Sequence, residues 1–220
     1  MLKLHVVFAI DRAGLVGEDG ETHHGIYDVG FLRHAPGLTI LAPASCLELQ
    51  KMLHWAVEEQ DGPVAIRYPR GGDRGYMESA WVFGIESAVT CHRKGNDVTL
   101  ITYGVLLKNA MEAADALAKQ GIETSVLRLL TLSPLPVDQV TKMLPENSRV
   151  VVLEEISAHC GICQELAYEL QKSRPDCRVR GVDLGSNYVC HGAVDALYDH
   201  YGLSAEAIKA FVMEVHQNEN

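Results

Sequence analysis

The densest group of chemically active side chains lies in the segment Asp11–Gly25, DRAGLVGEDGETHHG. This segment carries an arginine, four carboxylates, two histidines and four glycines. Arg12 can hold a phosphate or carboxylate through two parallel hydrogen bonds. His23 can transfer a proton near neutral pH, and Asp19 can orient an imidazole or accept a hydrogen bond from a substrate hydroxyl. These residue types predict a site for an oxygen-rich, anionic substrate.

The position of the segment supports that prediction. It follows the apolar run Val6–Ile10, whose β-branched composition predicts a buried parallel strand. Ligands of open α/β sheets bind at the carboxyl ends of such strands. The alternative is a solvated turn rich in Asp, Glu and Gly, which is the better interpretation for any one of these residues alone. Because the chain begins almost directly with this strand, we expect its start to be a truncation.

A second cationic segment follows another predicted strand. The pattern up to residue 72 is strand, loop, helix, strand, helix, strand, which predicts a parallel sheet. The last strand, Val64–Ile66, runs into Arg67-Tyr68-Pro69-Arg70-Gly71-Gly72. Parallel strands would bring Arg12 and Arg70 to the same edge, where they could share one anion. Alternatively, Arg67 and Arg70 form surface ion pairs, which individually stabilise little.

Charge and composition exclude several classes of function. The chain has 220 residues, 47% of them hydrophobic, and a formal charge of −10. Such an acidic protein is not expected to bind nucleic acid through a broad basic face or to associate with an anionic membrane. We see no membrane-spanning run and no secretion signal. Most of the six cysteines are expected to be reduced thiols, so we expect a cytoplasmic protein.

The second half predicts another small α/β domain after the glycine-rich stretch 71–84. Predicted strands are Ile85–Cys91, Val98–Tyr103, Ile122–Leu129, Val150–Leu153 and Val179–Leu184. Predicted helices are Val105–Gln120, Val137–Leu144, Gly161–Lys172, Val194–His200 and Ser204–Val215. A turn at residues 94–97 is expected to join the first two strands as a hairpin. The fold class is therefore α/β throughout.

Two further motifs offer rival chemistry. Cys160 and Cys163 form a C-x-x-C motif, typical of a redox dithiol or of half a zinc site. No second ligand pair of similar spacing follows, so small residues near a helix start are the better interpretation. Glu154 and Glu155 end a predicted strand, but adjacent strand residues point to opposite faces. We therefore expect one glutamate buried at an interface and the other solvated, rather than an acid/base pair.

Three motifs together resemble the 1-deoxy-D-xylulose-5-phosphate synthases of the transketolase superfamily: DRAGLVGEDGETHHG, YDVGFLRHAPGL and RYPRGG. GNDVTLITYG, VVLEE and HGAVDALYDHYGL extend the resemblance over the whole chain. It implies that residues 1–72 are the C-terminal half of a pyrimidine-binding domain. Residues 73–96 would be a linker and first strand, and residues 97–220 a transketolase C-terminal domain.

The resemblance also implies an activity. Such enzymes use thiamine diphosphate and Mg²⁺ to condense pyruvate with D-glyceraldehyde 3-phosphate, with loss of CO₂, for isoprenoid, thiamine and pyridoxal biosynthesis. Arg12 and Arg70 would hold the triose phosphate, and Asp19 would contact substrate hydroxyls. His23 would hydrogen-bond the thiamine-bound intermediate and assist proton transfer, whereas His24 is a less secure match. The intact enzyme would be a homodimer.

The same resemblance implies that parts are missing. The residues that hold the diphosphate and magnesium, and the glutamate that activates the cofactor, lie upstream of this chain in the family. We therefore expect the chain to be inactive alone, to bind neither cofactor nor metal tightly, and to need the missing N-terminal portion. Alternatives are a non-catalytic dimerisation or assembly module, the C-terminal subunit of a split transketolase-like enzyme, and a dithiol redox protein.

Overall fold

The chain folds into two sheets flanked by helices, in a computed structural model that describes residues 4–72 and 87–218. The stretch 71–84 and the start of the strand predicted from Ile85 lie largely outside the described residues. The strands are Val7–Ile10 (β1), Thr39–Leu41 (β2), Val64–Arg67 (β3), Val89–Arg93 (β4), Val98–Tyr103 (β5), Thr124–Leu129 (β6), Thr131–Ser133 (β7), Arg149–Leu153 (β8) and Arg178–Val182 (β9). The helices are Asp28–Leu32 (α1), Cys46–Glu58 (α2), Leu107–Ala118 (α3), Val137–Met143 (α4), Cys163–Ser173 (α5), Val194–His200 (α6) and Ala205–Asn218 (α7).

The first sheet has the order β1-β3-β2-β7. Strands β1, β3 and β2 run parallel, which confirms the strand–helix arrangement predicted for the first part of the chain. β7 belongs to the second half of the sequence but pairs antiparallel with β2. Sequence analysis did not predict β7, since it is only three residues long and follows β6 almost directly. It joins the two halves through the backbone.

The prediction that the first strand is buried was wrong. Among the strands that the structure describes, β1 lies at the edge of its sheet and pairs with β3. Leu4, Val6 and Phe8 are 61%, 36% and 45% exposed. Apolar runs predict burial on both faces, but an edge strand has only the cover that its sheet and helices provide. The segment is therefore an apolar, exposed edge, the kind of surface that pairs with another chain.

The second sheet has the order β4-β6-β5-β8-β9, in which all pairs are parallel except β4 with β6. The expected hairpin between the first two strands of this half was therefore wrong. β6 lies between β4 and β5, so the turn at residues 94–97 leads to a strand that is not a neighbour. Helix α3 turns its small residues Ala110, Ala113 and Ala114, all fully buried, toward this sheet and α7.

The helix starts show how local sequence sets the fold. Ser45 caps α2, since its hydroxyl accepts a hydrogen bond from the Glu48 N–H at 3.2 Å. The Glu48 carboxylate turns away toward the second half. It accepts hydrogen bonds from the Ala44 N–H and from both terminal nitrogens of Arg128, at 2.7, 2.6 and 2.5 Å. Ser204 caps α7, accepting from the Ala207 N–H at 3.3 Å.

The Glu48–Arg128 ion pair connects α2 to β6 in a fully buried position. The Arg128 side chain is 0% exposed and that of Glu48 is 5% exposed. A buried charge without its partner is strongly unfavourable. We expect Arg128→Met to lower the free energy of unfolding by about 3–5 kcal/mol. Urea denaturation should show a much smaller loss in Glu48→Leu/Arg128→Met, in which no charge is left unpaired.

Arg93→Ala is the matched control, because Arg93 pairs with the exposed Asp115. Its expected cost is at most about 1 kcal/mol. Equal losses for Arg93→Ala and Arg128→Met would contradict the role given to the buried pair.

The exposed β1 edge leads to a second prediction. Because Phe8 lies on an unpaired apolar edge, Phe8→Lys should reduce self-association of the purified chain, measured by light scattering across a concentration series. Tyr188→Lys is the control, since Tyr188 is 79% exposed and lies outside the strands. If both variants self-associate as the parent chain does, the edge is not the associating surface.

Candidate functional site

The segment Asp11–Gly25 folds into a closed loop at the carboxyl end of β1. Gly14 and Gly25 exchange backbone hydrogen bonds of 2.8 and 3.0 Å, which draws the two ends of the loop together. A Cβ atom on Gly25 would lie 2.1 Å from the Arg12 carbonyl oxygen, so no larger residue fits there. Asp19 and His23 are therefore displayed on a loop with a fixed neck, and Arg12 lies beside that neck.

The two cationic segments leave adjacent strands at one edge of the sheet. Ile10 of β1 is in register with Arg67 of β3, and the Ala13 N–H donates to the Tyr68 carbonyl at 2.9 Å. The strand ends that carry Arg12 and Arg70 are thus neighbours, as the parallel arrangement predicts.

Two of the predicted site residues contact each other directly. Arg70 Nη1 lies 2.5 Å from Asp19 Oδ2, with both side chains partly exposed. Arg12 instead pairs with Asp11 at 3.0 Å. Its Nε atom is buried and has no hydrogen-bond partner among the residues that the structure describes. Exposed ion pairs are weak, so an incoming anion can compete for both guanidinium groups.

The two histidines of the loop differ in environment. His23 is exposed, and its Nδ1 lies 2.8 Å from Thr22 Oγ1. His24 is buried: its Nδ1 accepts from the Val16 N–H at 3.1 Å, and its Nε2 lies 3.2 Å from the Cys190 carbonyl. Because that carbonyl can only accept, the contacts fit a neutral His24 protonated at Nε2. Of the pair, His23 is the imidazole that a ligand can reach.

Arg67 is buried rather than engaged in a surface ion pair. The surface ion pair that sequence analysis offered as an alternative was therefore wrong for this residue. The guanidinium is buried and bound to Asp28, with Nε to Oδ2 at 2.9 Å. It also lies 5.5 Å from the centre of the Tyr103 ring. An arginine inside an apolar strand needs such partners. Arg67 therefore stabilises the candidate site from the interior of the protein.

The expectation that only one of the two adjacent glutamates is buried was wrong. Glu154 and Glu155 are 3% and 6% exposed. Glu154 accepts from the Tyr103 hydroxyl at 2.9 Å and from the N–H groups that start α5. Burial raises the pKa of Glu154, although these donors favour its ionised form. Glu155 faces the loop instead and accepts from the Leu15 N–H at 3.0 Å and the Tyr198 hydroxyl at 2.6 Å.

A cavity of about 210 Å³ lies between the strand ends and the second half of the chain. Its walls include Leu15, Arg70, Glu155, Asp195 and Tyr198. One guanidinium and two carboxylate side chains thus face a space large enough for a small polar molecule. Sequence analysis missed the contribution of Asp195 and Tyr198, because only the three-dimensional fold brings residues this far along the chain to the loop.

The C-x-x-C motif has the properties of structural cysteines. All six cysteines are free thiols. Burial, reinforced by the nearby Glu154 and Asp183, raises the pKa of Cys163 to about 12. The thiolate is the reactive form of cysteine, so Cys163 is a poor nucleophile near neutral pH.

This pKa predicts a specific labelling order. At pH 8, iodoacetamide should alkylate Cys163 far more slowly than the exposed Cys190, because almost no Cys163 thiolate is present. Peptide mass spectrometry over a time course measures both sites in one sample. Equal rates for the two cysteines would revive the dithiol interpretation.

In the ranges 4–72 and 87–218, no group of three or more His, Cys, Asp or Glu side chains is placed to hold a metal ion. Among the helices of those ranges, none combines the length and the hydropathy needed to cross a membrane.

Comparison with known families shows to which family the chain belongs. The model of the transketolase pyrimidine binding domain matches residues 2–73, and that of the transketolase C-terminal domain matches residues 87–208. The chain belongs to the transketolase family. The α/β fold class predicted from the sequence is confirmed.

The similar curated proteins are 1-deoxy-D-xylulose-5-phosphate synthases, which confirms the resemblance drawn from the motifs. The protein of Heliobacterium modesticaldum is 39% identical over 212 residues, which are 96% of this chain and 32% of that protein. The protein of Chlorobium luteolum is 38% identical, with 97% and 34% covered. This transketolase-family chain spans about a third of the length of these relatives, corresponding to their C-terminal portion.

Solved transketolase structures share the fold. A split gene transketolase, described as an inactive β4 tetramer, superposes with a TM-score of 0.80 and 27% identity, covering 98% of this chain and 67% of that one. The transketolase of Campylobacter jejuni superposes with a TM-score of 0.72 at 20% identity, covering 94% of this chain and 31% of that one. The latter likeness concerns the fold alone.

Proposed function

We propose that this chain is the triose-phosphate-binding part of a 1-deoxy-D-xylulose-5-phosphate synthase. In this proposal the complete enzyme condenses pyruvate with D-glyceraldehyde 3-phosphate and releases CO₂. The observation that carries the proposal is the adjacency of the strand ends bearing Arg12 and Arg70, next to Asp19. The buried Arg12 Nε, which has no hydrogen-bond partner among the described residues, is a donor suited to an anionic ligand.

Each residue of the loop has a defined task in this proposal. Arg12 and Arg70 bind the phosphate, and Asp19, released from Arg70, accepts a hydrogen bond from a substrate hydroxyl. His23, exposed beside Thr22, hydrogen-bonds the reacting group and moves a proton. His24 has no such role, because both its ring nitrogens are engaged within the fold.

Thiamine diphosphate would supply the electron sink for pyruvate decarboxylation, and among the described residues no group of three or more His, Cys, Asp or Glu side chains is placed to hold the accompanying metal ion. We therefore assign the cofactor site to a further polypeptide portion, such as the other two thirds of the curated relatives. We further propose that residues 1–72 complete a pyrimidine-binding domain with that portion, that residues 97–220 are the C-terminal domain, and that the complete unit is a homodimer. The free thiols support a reducing, cytoplasmic location.

A second candidate is an assembly module without catalytic function, or the C-terminal subunit of a split enzyme. The apolar β1 edge favours association with another polypeptide in either case. The solved split gene transketolase provides the precedent for division between genes.

Reconstitution separates a catalytic role of the chain from that of an assembly module. The purified chain is mixed with the N-terminal two thirds of the Heliobacterium modesticaldum synthase, thiamine diphosphate and Mg²⁺. Release of CO₂ and formation of 1-deoxy-D-xylulose 5-phosphate are then followed. We expect product in the mixture and none with either part alone. Absence of product at every ratio, although a complex forms on a sizing column, would favour the assembly module.

The phosphate-binding role makes a kinetic prediction in the reconstituted enzyme. Arg70→Ala should raise the KM for D-glyceraldehyde 3-phosphate by tenfold or more, since a lost charge-assisted hydrogen bond costs about 1.5–3 kcal/mol. The KM for pyruvate should change little. Arg93→Ala, which breaks an ion pair of the second sheet, is the control. An unchanged triose phosphate KM in Arg70→Ala would remove this residue from the site.

A further inference from the structure

Glu155 joins the predicted substrate loop to the second half of the chain. It follows β8 in sequence, 140 residues from Leu15, yet its Oε2 accepts the Leu15 N–H at 3.0 Å. Its Oε1 accepts the Tyr198 hydroxyl at 2.6 Å. Glu155 and Tyr198 are 6% and 2% exposed. A buried carboxylate with a donor on each oxygen has a fixed orientation.

The loop leaves space for this carboxylate at Gly14. Gly14 has a φ of +77°, and a Cβ atom there would lie 2.2 Å from Glu155 Oε2. Gly14 is also the residue that closes the loop through its hydrogen bonds with Gly25. The carboxylate of Glu155 is thus packed directly against the neck of the loop.

Other contacts from the second half hold the rest of the loop. The Ser157 N–H donates to the Ile26 carbonyl at 2.9 Å, just beyond the neck. The Gly192 N–H donates to the Gly17 carbonyl at 3.3 Å, and His24 contacts the Cys190 carbonyl. Of these contacts, Glu155 supplies the one with a charged side chain. It also lines the same cavity as Arg70.

We propose that Glu155, held by Tyr198, is a positioning residue for triose phosphate binding. It fixes the backbone at Gly14 and Leu15, and so sets where the loop presents Arg12, Asp19 and His23 relative to Arg70. The C-terminal domain thereby contributes to substrate affinity through the position of the loop. The identity of the substrate rests on the proposed function, whereas the effect on the loop does not.

The first measurement is hydrogen–deuterium exchange of the full chain, which needs no activity. Tyr198→Phe removes the hydroxyl that orients the carboxylate, and Glu155→Gln removes the charge and one of the two acceptor oxygens. Both variants should speed exchange in residues 13–25 by about tenfold or more, as expected for the loss of a charge-assisted hydrogen bond. Glu154→Gln is the matched control, since Glu154 is equally buried but accepts hydrogen bonds from Tyr103 and from the start of α5.

The second measurement uses the reconstituted enzyme. Tyr198→Phe should raise the KM for D-glyceraldehyde 3-phosphate several-fold more than it lowers kcat, because the loop is misplaced while its reactive groups are intact. The KM for pyruvate should stay near that of the parent chain. Glu154→Gln should not produce this split.

The outcomes are distinguishable. Exchange in residues 13–25 that matches the parent chain in both variants overturns the proposal, as does faster exchange with an unchanged triose phosphate KM. A uniform rise in exchange over the whole chain would mean general destabilisation and would also overturn it. If the reconstituted parent chain makes no product, the proposed function fails. The exchange comparison then decides by itself whether Glu155 fixes the loop.

Discussion

Buried charges in this protein must be paired, and the Glu48–Arg128 pair links its two halves. Glu48 of the first half holds Arg128 of the second by two hydrogen bonds in a position closed to solvent. Arg67, bound to Asp28, lies over the Tyr103 ring of the second sheet. Since removing one partner would leave a charge in a low-dielectric interior, the two halves are bound to one relative arrangement.

That arrangement builds the site. The parallel strands of the first sheet bring two arginine-bearing ends together, and the second half supplies the groups that hold the intervening loop. Glu154 and Glu155 contact different parts of the molecule, because adjacent residues point in opposite directions. Glu154 fixes Tyr103 and the start of α5, whereas Glu155 fixes the loop at Leu15. A single strand end thus connects the core of the second sheet with the loop Asp11–Gly25 of the first half.

Sequence predicted the local structure well and the long-range contacts poorly. The strand–helix periodicity and the family motifs depend on neighbouring residues, and the structure and comparisons agree with them. The exposure of β1 and the pairing of β4 with β6 depend on which strands become neighbours, which periodicity does not encode. The partners of Arg67 and Arg128 were missed for the same reason. Their occurrence within apolar strands was the available signal, since buried arginines require partners.

The assignment of Arg12, Asp19, His23 and Arg70 to one site depends on a single geometric claim: two guanidinium groups from adjacent strands bind one phosphate. A double-mutant cycle measures this claim most directly. Arg12→Ala, Arg70→Ala and the double variant are compared by the KM for D-glyceraldehyde 3-phosphate in the reconstituted enzyme. If both arginines bind the same phosphate, the effects are non-additive, with a coupling of about 0.5–3 kcal/mol. Effects that add within about 0.3–0.5 kcal/mol would show independent residues and contradict the shared site.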